Sequence, residues 1–285
     1  MIWNGYPVIE QIHIHEFYSF FDIHYEKGFH FAGETHNFWE CVYVMDGSIC
    51  VSGDERVYNM EKNHIIFHKP LELHKLQVEQ EEGTTLLIFS FSMEGSLEEY
   101  LKDKVFKLTD VQQHIMRSLL EYLHSTLEKS AEVSGVREHK YLVHACATKV
   151  YYQMLSTYVS QLLLSLIDSG QISETSTEPD AQIFRNAVNY INHCIDIQVS
   201  VDEIAGACYT SVSSLKRIFQ KYAGISIHKY ALMLKIKAAT ELLHQGMSVT
   251  QAAEALGFSS QAYFSACYKR ETGLSPTDVR KKEKY

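Results

Sequence analysis

The sequence lacks the features of a secreted or membrane-spanning protein. Its six cysteines include no Cys-x-x-Cys pair and no disulfide-framework spacing, which predicts buried thiols in a reducing compartment. No basic region precedes an apolar core near the first residue, so no secretory signal is expected. The longest apolar run, at residues 162–167, is too short to cross a bilayer. These absences together predict a cytoplasmic protein that does not bind membranes.

Proline is also scarce, and one of the four prolines marks a boundary. Residues 168–180, DSGQISETSTEPD, are polar and rich in Ser and Thr, a composition typical of a short flexible linker. A chain of 285 residues is long enough for two domains. The sequence therefore predicts a first domain over residues 1–168, a linker over 169–180 and a second domain over 181–285.

Acidic residues outnumber basic ones, yet the excess lies on one side of that linker. The whole chain carries 26 Lys and Arg against 35 Asp and Glu, a net charge of −9. Residues 180–285 carry 13 Lys and Arg against 9 Asp and Glu, whereas residues 1–179 carry 13 against 26. Phosphate binding requires a basic surface. The second domain is thus the candidate nucleic-acid binder, and the first domain is not expected to touch DNA.

Residues 202–275 contain one segment twice. The first copy reads IAGACYTSVSSLKRIFQKYAGIS from Ile204, and the second reads AAEALGFSSQAYFSACYKRETGLS from Ala252. Each copy predicts a short apolar helix, a polar turn and a second helix, and a helix predicted over residues 227–245 joins the copies. This is the pattern of a helix-turn-helix, whose second helix enters the DNA major groove.

The second helix of each copy has one apolar face and one polar face. Ser211 is the expected N-cap, and Leu215, Ile218 and Phe219 form one buried stripe. Gly224 lies where a helix end needs a left-handed residue. The matching residues of the second copy are Ser260, Phe264, Tyr268 and Gly273. Two such units in register predict DNA binding far more strongly than either unit alone.

These motifs resemble the AraC family of bacterial transcription regulators over residues 181–282. The most specific stretch is GFSSQAYFSACYKRETGLSP, residues 257–276, which is similar to that family's second helix-turn-helix. The resemblance implies base-facing side chains at Ser213, Lys216, Arg217, Gln261, Ala262 and Ser265. We expect phosphate contacts from Ser211, Lys221, Ser260, Lys269 and Arg270. The family often has Arg where this chain has Ala266, so readout by the second helix should be weaker, or should depend on Gln261 and DNA shape.

The first domain contains two regions that differ in their sequence pattern. Residues 8–92 are rich in aromatic and β-branched residues and are interrupted by glycine-containing turns, which predicts many short strands. Such strands are typical of an antiparallel barrel or jelly roll. Residues 110–128 and 134–168 predict helices, the second with a long apolar stripe that suits either the domain core or a dimer interface. The predicted fold class is α+β, with an N-terminal antiparallel β-barrel or jelly roll and a C-terminal all-α double helix-turn-helix domain.

Part of the first domain, residues 33–92, resembles the cupin-like sensor domain of AraC-type regulators. The residues that match the two cupin motifs are His36, Glu40, Gly47, Pro70 and His74. Glu34 stands where the first histidine of the motif belongs. Strand alternation places His36, Phe38 and Glu40 on one face. The predicted effector pocket consists of His36, Phe38, Glu40 and His74.

Three interpretations of this pocket stay open. The candidate metal ligands are Glu34, His36, Glu40 and His74, whose nitrogen and oxygen atoms suit a divalent ion, although we expect no bound metal or cofactor. The same groups suit a small polar effector in an apolar cavity, and the family resemblance makes a sugar one candidate. They are also compatible with polar groups that satisfy one another without any ligand.

The sequence thus predicts a ligand-responsive regulator that binds double-stranded promoter DNA and a small-molecule effector. We expect a homodimer, which contacts RNA polymerase if the protein is an activator. Two alternatives stay open: a metal-binding cupin enzyme fused to a DNA-binding domain, and a constitutive DNA-binding protein whose barrel only dimerises. The sequence contains no P-loop, nucleophile elbow or Ser-His-Asp motif, so no catalytic residue is expected.

Overall fold

The computed structural model describes residues 5–31, 33–128, 139–140, 148–167, 171–172 and 175–282. The strands are β1 (His13–Tyr25), β2 (Trp39–Asp46), β3 (Ser48–Gly53), β4 (Arg56–Glu61), β5 (His64–His68), β6 (His74–Gln77), β7 (Thr84–Glu94), β8 (Val105–Lys107), β9 (His139–Lys140) and β10 (Gln171–Ile172). The helices are α1 (Glu98–Leu101), α2 (Asp110–Glu128), α3 (Lys149–Ser165), α4 (Pro179–His193), α5 (Val201–Ala207), α6 (Val212–Tyr222), α7 (Ile227–His244), α8 (Val249–Ala255), α9 (Gln261–Thr272) and α10 (Pro276–Lys282). Among these helices none is both long and apolar enough to span a bilayer.

The N-terminal half folds into two antiparallel sheets. The larger sheet has the strand order β10-β8-β5-β2-β7-β1-β9, and the smaller sheet has the order β4-β3-β6. One apolar core draws on both sheets and includes Val42, Val44, Val51, Met60, Leu76 and Ile88. The predicted antiparallel jelly-roll arrangement is confirmed, with the correction that the described strands form two open sheets and not a closed barrel.

Strand β2 separates two cores by the alternation of its side chains. Cys41 and Tyr43 belong to the core that the large sheet forms with helices α2 and α3. Val42 and Val44 belong to the core between the two sheets. Because neighbouring residues of a strand face opposite sides, Glu40 shares the side of Val42. The sequence therefore directs one carboxylate into the space between the sheets.

Of the two helices predicted in the first domain, one is present in full and the other only in its C-terminal part. The first is confirmed by α2, but the helix predicted over residues 134–168 is wrong in its N-terminal part. His139–Lys140 form strand β9 on β1, because the edge of the large sheet offers unpaired backbone groups there. Helix α3 begins only after its N-cap Thr148, and residues 141–147 lie outside the described part. Val150, which the predicted apolar stripe included, is 66% exposed.

The flexible linker predicted over residues 169–180 is partly structured. Residues 171–172 form strand β10, which pairs with β8 of the large sheet. The N–H of Ser176 donates to the carbonyl oxygen of Val57 over 2.7 Å. Helix α4 then begins at Pro179, whose fixed φ suits a first helical turn. Residues 171–172 and Ser176 of the predicted linker therefore lie against the N-terminal sheets.

The C-terminal half is helical and contains the helix-turn-helix twice, as α5–α6 and α8–α9, with α7 between them. The predicted stripe residues Leu215, Ile218, Phe219, Phe264 and Tyr268 are all buried. Both turns contain a left-handed residue, Tyr209 with φ 52° in the first and Gly257 with φ 64° in the second. Both recognition helices are followed by a left-handed glycine, Gly224 and Gly273, as the sequence predicts.

Candidate effector cluster and DNA-binding surface

Four polar side chains meet between the two sheets. Glu40 lies on β2, where it pairs with His68 of β5. Glu34 and His74 face each other in an antiparallel bridge, with both N–H···O hydrogen bonds at 3.0 Å. This pairing gathers Glu34, His36, Glu40 and His74, and one ligand atom from each lies within 4.8 Å of the others. We call these four residues the Glu/His cluster.

The two histidines of the Glu/His cluster have fixed ring orientations. The Nδ1 of His36 lies 2.9 Å from the carbonyl oxygen of Phe38, and the Nδ1 of His74 lies 3.1 Å from that of Glu72. A carbonyl oxygen can only accept, so each Nδ1 carries a proton and donates. Each Nε2 is buried, and no group in the described part of the chain makes a hydrogen bond to it. In the neutral ring, each Nε2 therefore presents a lone pair to the cluster.

Carboxylates face these two nitrogen atoms. The Nε2 of His74 lies 3.3 Å from one Glu40 oxygen and 3.7 Å from a Glu34 oxygen, and the Nε2 of His36 lies 3.7 Å from the other Glu40 oxygen. Burial alone would raise the pKa of Glu40, but His36 and His74 hold that pKa well below its usual range. Burial alone would lower the pKa of His74, but Glu34 and Glu40 raise it to about 10. The arrangement thus stabilises a positive charge at its centre.

A second buried pair, His68 and Glu72, lies against the cluster. The His68 ring stacks on His74 with the centroids 4.3 Å apart, and its Nδ1 is 3.3 Å from a Glu72 oxygen. The other Glu72 oxygen accepts from the backbone N–H of Lys69 at 2.8 Å. Burial would raise the pKa of Glu72, but His68 lowers it to about 2. Gly53 packs so closely on this carboxylate that a side chain there would collide with it. No motif of the sequence pointed to this pair.

The cavity beside the cluster is small. Its volume is about 50 Å³, and its apolar walls are Phe21, Tyr25, Phe31, Val42, Leu76 and Ile88. A cavity needs about 10–15 Å³ of such volume to hold one water molecule, so this one has room for only a few waters. Phe38 stacks on His36 with a centroid distance of 3.9 Å and also on Tyr18. The four residues of the predicted effector pocket are thus neighbours, and their role in effector binding stays a prediction.

The predicted DNA contacts lie on α6, on α9 and at their N-caps. The hydroxyls of Ser211 and Ser260 accept from the backbone N–H groups of Ser214 and Tyr263, each at 3.1 Å. The exposed members of the predicted set are Ser211, Ser213, Lys216, Arg217, Ser260, Gln261, Ala262, Lys269 and Arg270. Ser265 and Lys221 are half-buried. Nearly all predicted contacts on the two helices therefore face solvent.

Two predicted DNA contacts on α6 are engaged within the protein. Arg217 donates two hydrogen bonds to the carboxylate of Asp180, at 2.8 and 3.1 Å. The Nζ of Lys221 lies 3.4 Å from a Glu178 oxygen. Both carboxylates come from the predicted linker and the start of α4. In this structure both side chains are therefore held by carboxylates of the same chain, and their contact with DNA stays a prediction.

Side chains of the smaller sheet cap the C-terminal end of α6, the first recognition helix. Lys75 of β6 donates from Nζ to the carbonyl oxygens of Gln220 and Lys221, both at 2.8 Å. The Ser52 hydroxyl of β3 donates to the carbonyl oxygen of Tyr222. The last carbonyls of a helix have no partner within it, and a cation there also interacts favourably with the helix dipole. The end of the recognition helix thus depends on the N-terminal domain.

Further contacts join the two halves around this cap. An Asp54 oxygen lies 2.5 Å from the Nζ of Lys237 on α7. Gly33, with φ +79°, packs against the carbonyl oxygen of Ala223, just beyond α6. Two residues of the N-terminal half, Val57 and Leu73, join the apolar core of the first helix-turn-helix. The two halves are therefore joined by polar and apolar contacts.

Two family models match this arrangement. The AraC-like ligand binding domain matches residues 19–145, which contain the Glu/His cluster, and a helix-turn-helix domain matches residues 204–282, which contain both repeats. A ligand-binding domain joined to a double helix-turn-helix domain defines a class of one-chain regulators. The chain belongs to the AraC family of transcriptional regulators.

Named relatives fall in the same class. The transcriptional regulator GbdR of Pseudomonas aeruginosa is 39% identical over 83 residues, which are 29% of this chain and 23% of that relative. The transcriptional regulator YidL of Escherichia coli is 23% identical over 249 residues, covering 86% of this chain and 76% of that one. The crystal structure of ToxT from Vibrio cholerae covers 95% of this chain and 97% of that one, at 13% identity and a TM-score of 0.38. The chain thus spans about a quarter of the length of GbdR.

Proposed function

We propose that the protein is a cytoplasmic, ligand-responsive transcriptional regulator. The N-terminal domain binds a small effector at the Glu/His cluster, and the C-terminal domain binds double-stranded promoter DNA through α6 and α9. The observation that carries this proposal is the capping of α6 by Lys75 and Ser52. His74 of the cluster precedes Lys75 on β6, so an effector that moves this strand changes the support of a recognition helix.

Charge and helix faces support the DNA-binding part. The half with the repeats carries the basic surplus, as phosphate binding requires. Helix α6 offers the exposed donors Lys216 and Arg217, which reach guanine edges, whereas α9 offers Gln261 and no arginine on its exposed N-terminal half. We therefore expect α6 to carry more of the sequence readout and α9 to contribute mainly affinity.

The test is a fluorescence-anisotropy titration of the full chain on a promoter duplex and on a scrambled duplex. Arg217→Ala should weaken specific binding by roughly 5- to 150-fold and reduce the ratio between the two duplexes. Lys269→Ala should weaken both duplexes alike and lower the slope of log affinity against log salt by about one. The control Lys102→Ala removes a lysine of the N-terminal domain and should change neither quantity. An unchanged specificity ratio for Arg217→Ala would remove that residue from base readout.

The proposed homodimer forms through one end of the α2–α3 pair. Val111, Leu164 and Ile167 are exposed apolar side chains. The Gln112 side chain donates to the carbonyl oxygen of Ser165 at 2.7 Å, which brings the start of α2 beside the end of α3. Apolar side chains gathered on a surface favour contact with a second copy. In an activator, the bound dimer also contacts RNA polymerase at the promoter.

The cavity volume bears on the effector class. A pocket for a drug-sized or sugar-sized ligand has about 300–1,000 Å³, whereas the cavity beside the cluster has about 50 Å³. A sugar would therefore need the two sheets to separate at this point. The names of the relatives, all transcriptional regulators, support a regulatory role over an enzymatic one. A constitutive DNA-binding protein, the remaining alternative, would show no change of DNA affinity with any effector.

A further inference from the structure

We propose that Tyr209, in the turn between α5 and α6, is a DNA-contact residue whose hydroxyl donates a hydrogen bond to a phosphate of the duplex. This inference rests on the proposed function, because it requires that α6 enters a major groove. It adds a contact that the repeat pattern did not predict. The contact belongs to the first unit, α5–α6, and has no counterpart in the second unit, α8–α9.

The first argument is an unfavourable backbone conformation that the fold does not require. Tyr209 has a φ of 52°, in the left-handed region, where a side chain crowds the backbone. The turn of the second unit has Gly257 at φ 64°, and glycine adopts this conformation freely. A glycine would therefore form the first turn more easily than a tyrosine does. Backbone strain of this kind is concentrated at functional sites.

The second argument is that folding gains almost nothing from the Tyr209 side chain. That side chain is 98% exposed, so its ring and hydroxyl have almost no contact with the described part of the chain. Burial of the ring therefore cannot compensate for the strained backbone. A contact with another molecule is the remaining reason for a large side chain at this position.

The second unit has no room for an equivalent side chain. A Cβ atom at Gly257 would lie 2.0 Å from the carbonyl oxygen of Asp196, so the second turn packs against the protein and needs a glycine. The first turn is open to solvent at the same place, as the exposure of Tyr209 shows. Only the first unit can therefore present a side chain from its turn.

The third argument is the position of the turn. The N–H of Tyr209 donates to the carbonyl oxygen of Gly206 at 3.1 Å, which fixes the turn on the end of α5. Tyr209 lies two residues before Ser211, the N-cap of α6. In a helix-turn-helix the first helix crosses the DNA backbone and the start of the second enters the groove. Two residues span at most about 7 Å, so a phosphate strand beside Ser211 is within reach of Tyr209.

The chemistry of the side chain favours a phosphate over a protein surface. A tyrosine hydroxyl is a neutral donor and a common partner of DNA phosphates. A protein partner instead covers several apolar side chains that lie together. Residues 198–246 are all described, and Tyr209 is the only large hydrophobic side chain among them that is exposed. A single tyrosine suits one hydrogen bond to DNA better than an apolar interface.

The test uses the full chain, with anisotropy titrations on the promoter and scrambled duplexes and urea denaturation of each variant. Tyr209→Phe keeps the ring and removes the hydroxyl, so it should weaken both duplexes by about three- to tenfold. Tyr209→Gly should weaken them at least as much and yet raise the urea midpoint, because the strain is relieved. The slope of log affinity against log salt should not change, since a neutral hydroxyl releases no counterion. The control Tyr6→Phe changes a tyrosine of the N-terminal half that is 87% exposed, and should alter none of these quantities.

Ethylation interference locates the contact on the DNA. Ethylation of a phosphate that the protein contacts weakens binding, and the pattern shows which phosphates these are. Tyr209→Gly should lose one such phosphate at the edge of the groove that α6 enters. The phosphates beside α9 should interfere as they do with the unaltered chain.

Equal DNA affinities of Tyr209→Phe, Tyr209→Gly and the unaltered chain would overturn the inference. A loss in Tyr209→Gly alone would overturn the hydrogen bond from the hydroxyl. A loss on the promoter duplex alone would overturn the phosphate contact, because phosphates carry no direct sequence information. Unchanged DNA affinity with altered sedimentation would identify a protein contact in its place. Failure of the unaltered chain to bind either duplex would instead contradict the proposed function, so the two failures are distinguishable.

Discussion

Removal of the ammonium group of Lys75 should loosen the end of α6 without disturbing the core of either half. In Lys75→Met the aliphatic stem stays, and the donors to the carbonyls of Gln220 and Lys221 are lost. Strand β6 pairs with β3 through its backbone and does not need this ammonium. The Ser52 hydroxyl still binds the carbonyl of Tyr222, so the helix end is weakened and not released.

The expected effect is about 2 kcal/mol. One hydrogen bond to a charged group contributes about 1.5–3 kcal/mol. Two bonds from one ammonium are not independent, burial of Lys75 opposes its charged form by lowering its pKa, and water can replace part of the loss at a helix end. Adding the full free energies of two such hydrogen bonds would therefore overestimate the loss. A loss of about 2 kcal/mol corresponds to about a 30-fold shift between the capped and the uncapped helix end.

Hydrogen exchange measures this shift directly. The amides of Ala223 and Gly224 donate to the carbonyl oxygen of Phe219 in the last turn of α6. They should exchange about 30-fold faster in Lys75→Met, while the amides of α9 keep their rates. The control Lys102→Met removes a surface lysine and should change neither helix. Equal exchange at the end of α6 in Lys75→Met and the unaltered chain would refute the capping role.

Three further changes test other contacts. Asp180→Asn removes the carboxylate that holds Arg217, so DNA affinity should rise roughly two- to fivefold in a binding titration. A fall in DNA affinity would contradict the idea that Asp180 competes with DNA for Arg217. Tyr209→Gly relieves a side chain held at φ 52° in the first turn, and urea denaturation should show a gain of about 0.5–1 kcal/mol. Leu164→Glu should convert the proposed dimer to a monomer in ultracentrifugation, whereas Val150→Glu, at the other end of α3, should leave it a dimer.

The helical C-terminal half was predictable because its signals are local. Serine caps, an apolar stripe and a closing glycine lie within a few turns of one another. The helix predicted over residues 227–245 is therefore found at Ile227–His244. Strands β9 and β10 gave no such signal, since each has two residues and exists only because the edge of a distant sheet offers backbone partners.

At the cluster, the motif spacing identified the ligand-capable residues but not what surrounds them. Glu40 and His74 stood out by their place in the two motifs, but they lie on different sheets and meet only because those sheets face each other. His68 joins them only because β5 pairs with β2 in one register, which no local pattern sets. The contact from Lys75 to Gln220 spans 145 residues of sequence. Tertiary packing alone creates such a contact, so sequence reasoning could not anticipate it.

The adjacency of His74 and Lys75 also limits how strongly an effector can act. Neighbouring residues of a strand face opposite sides, so one faces the cluster and the other faces α6. A ligand shifts an equilibrium only by the difference between its affinities for the two states. If the signal passes through the Lys75 cap alone, that difference cannot exceed the cap's contribution of about 2 kcal/mol, or about 30-fold in DNA affinity. A larger effect would require the Asp54–Lys237 contact to change as well, and adding Asp54→Asn to Lys75→Met would then reduce regulation further than Lys75→Met alone.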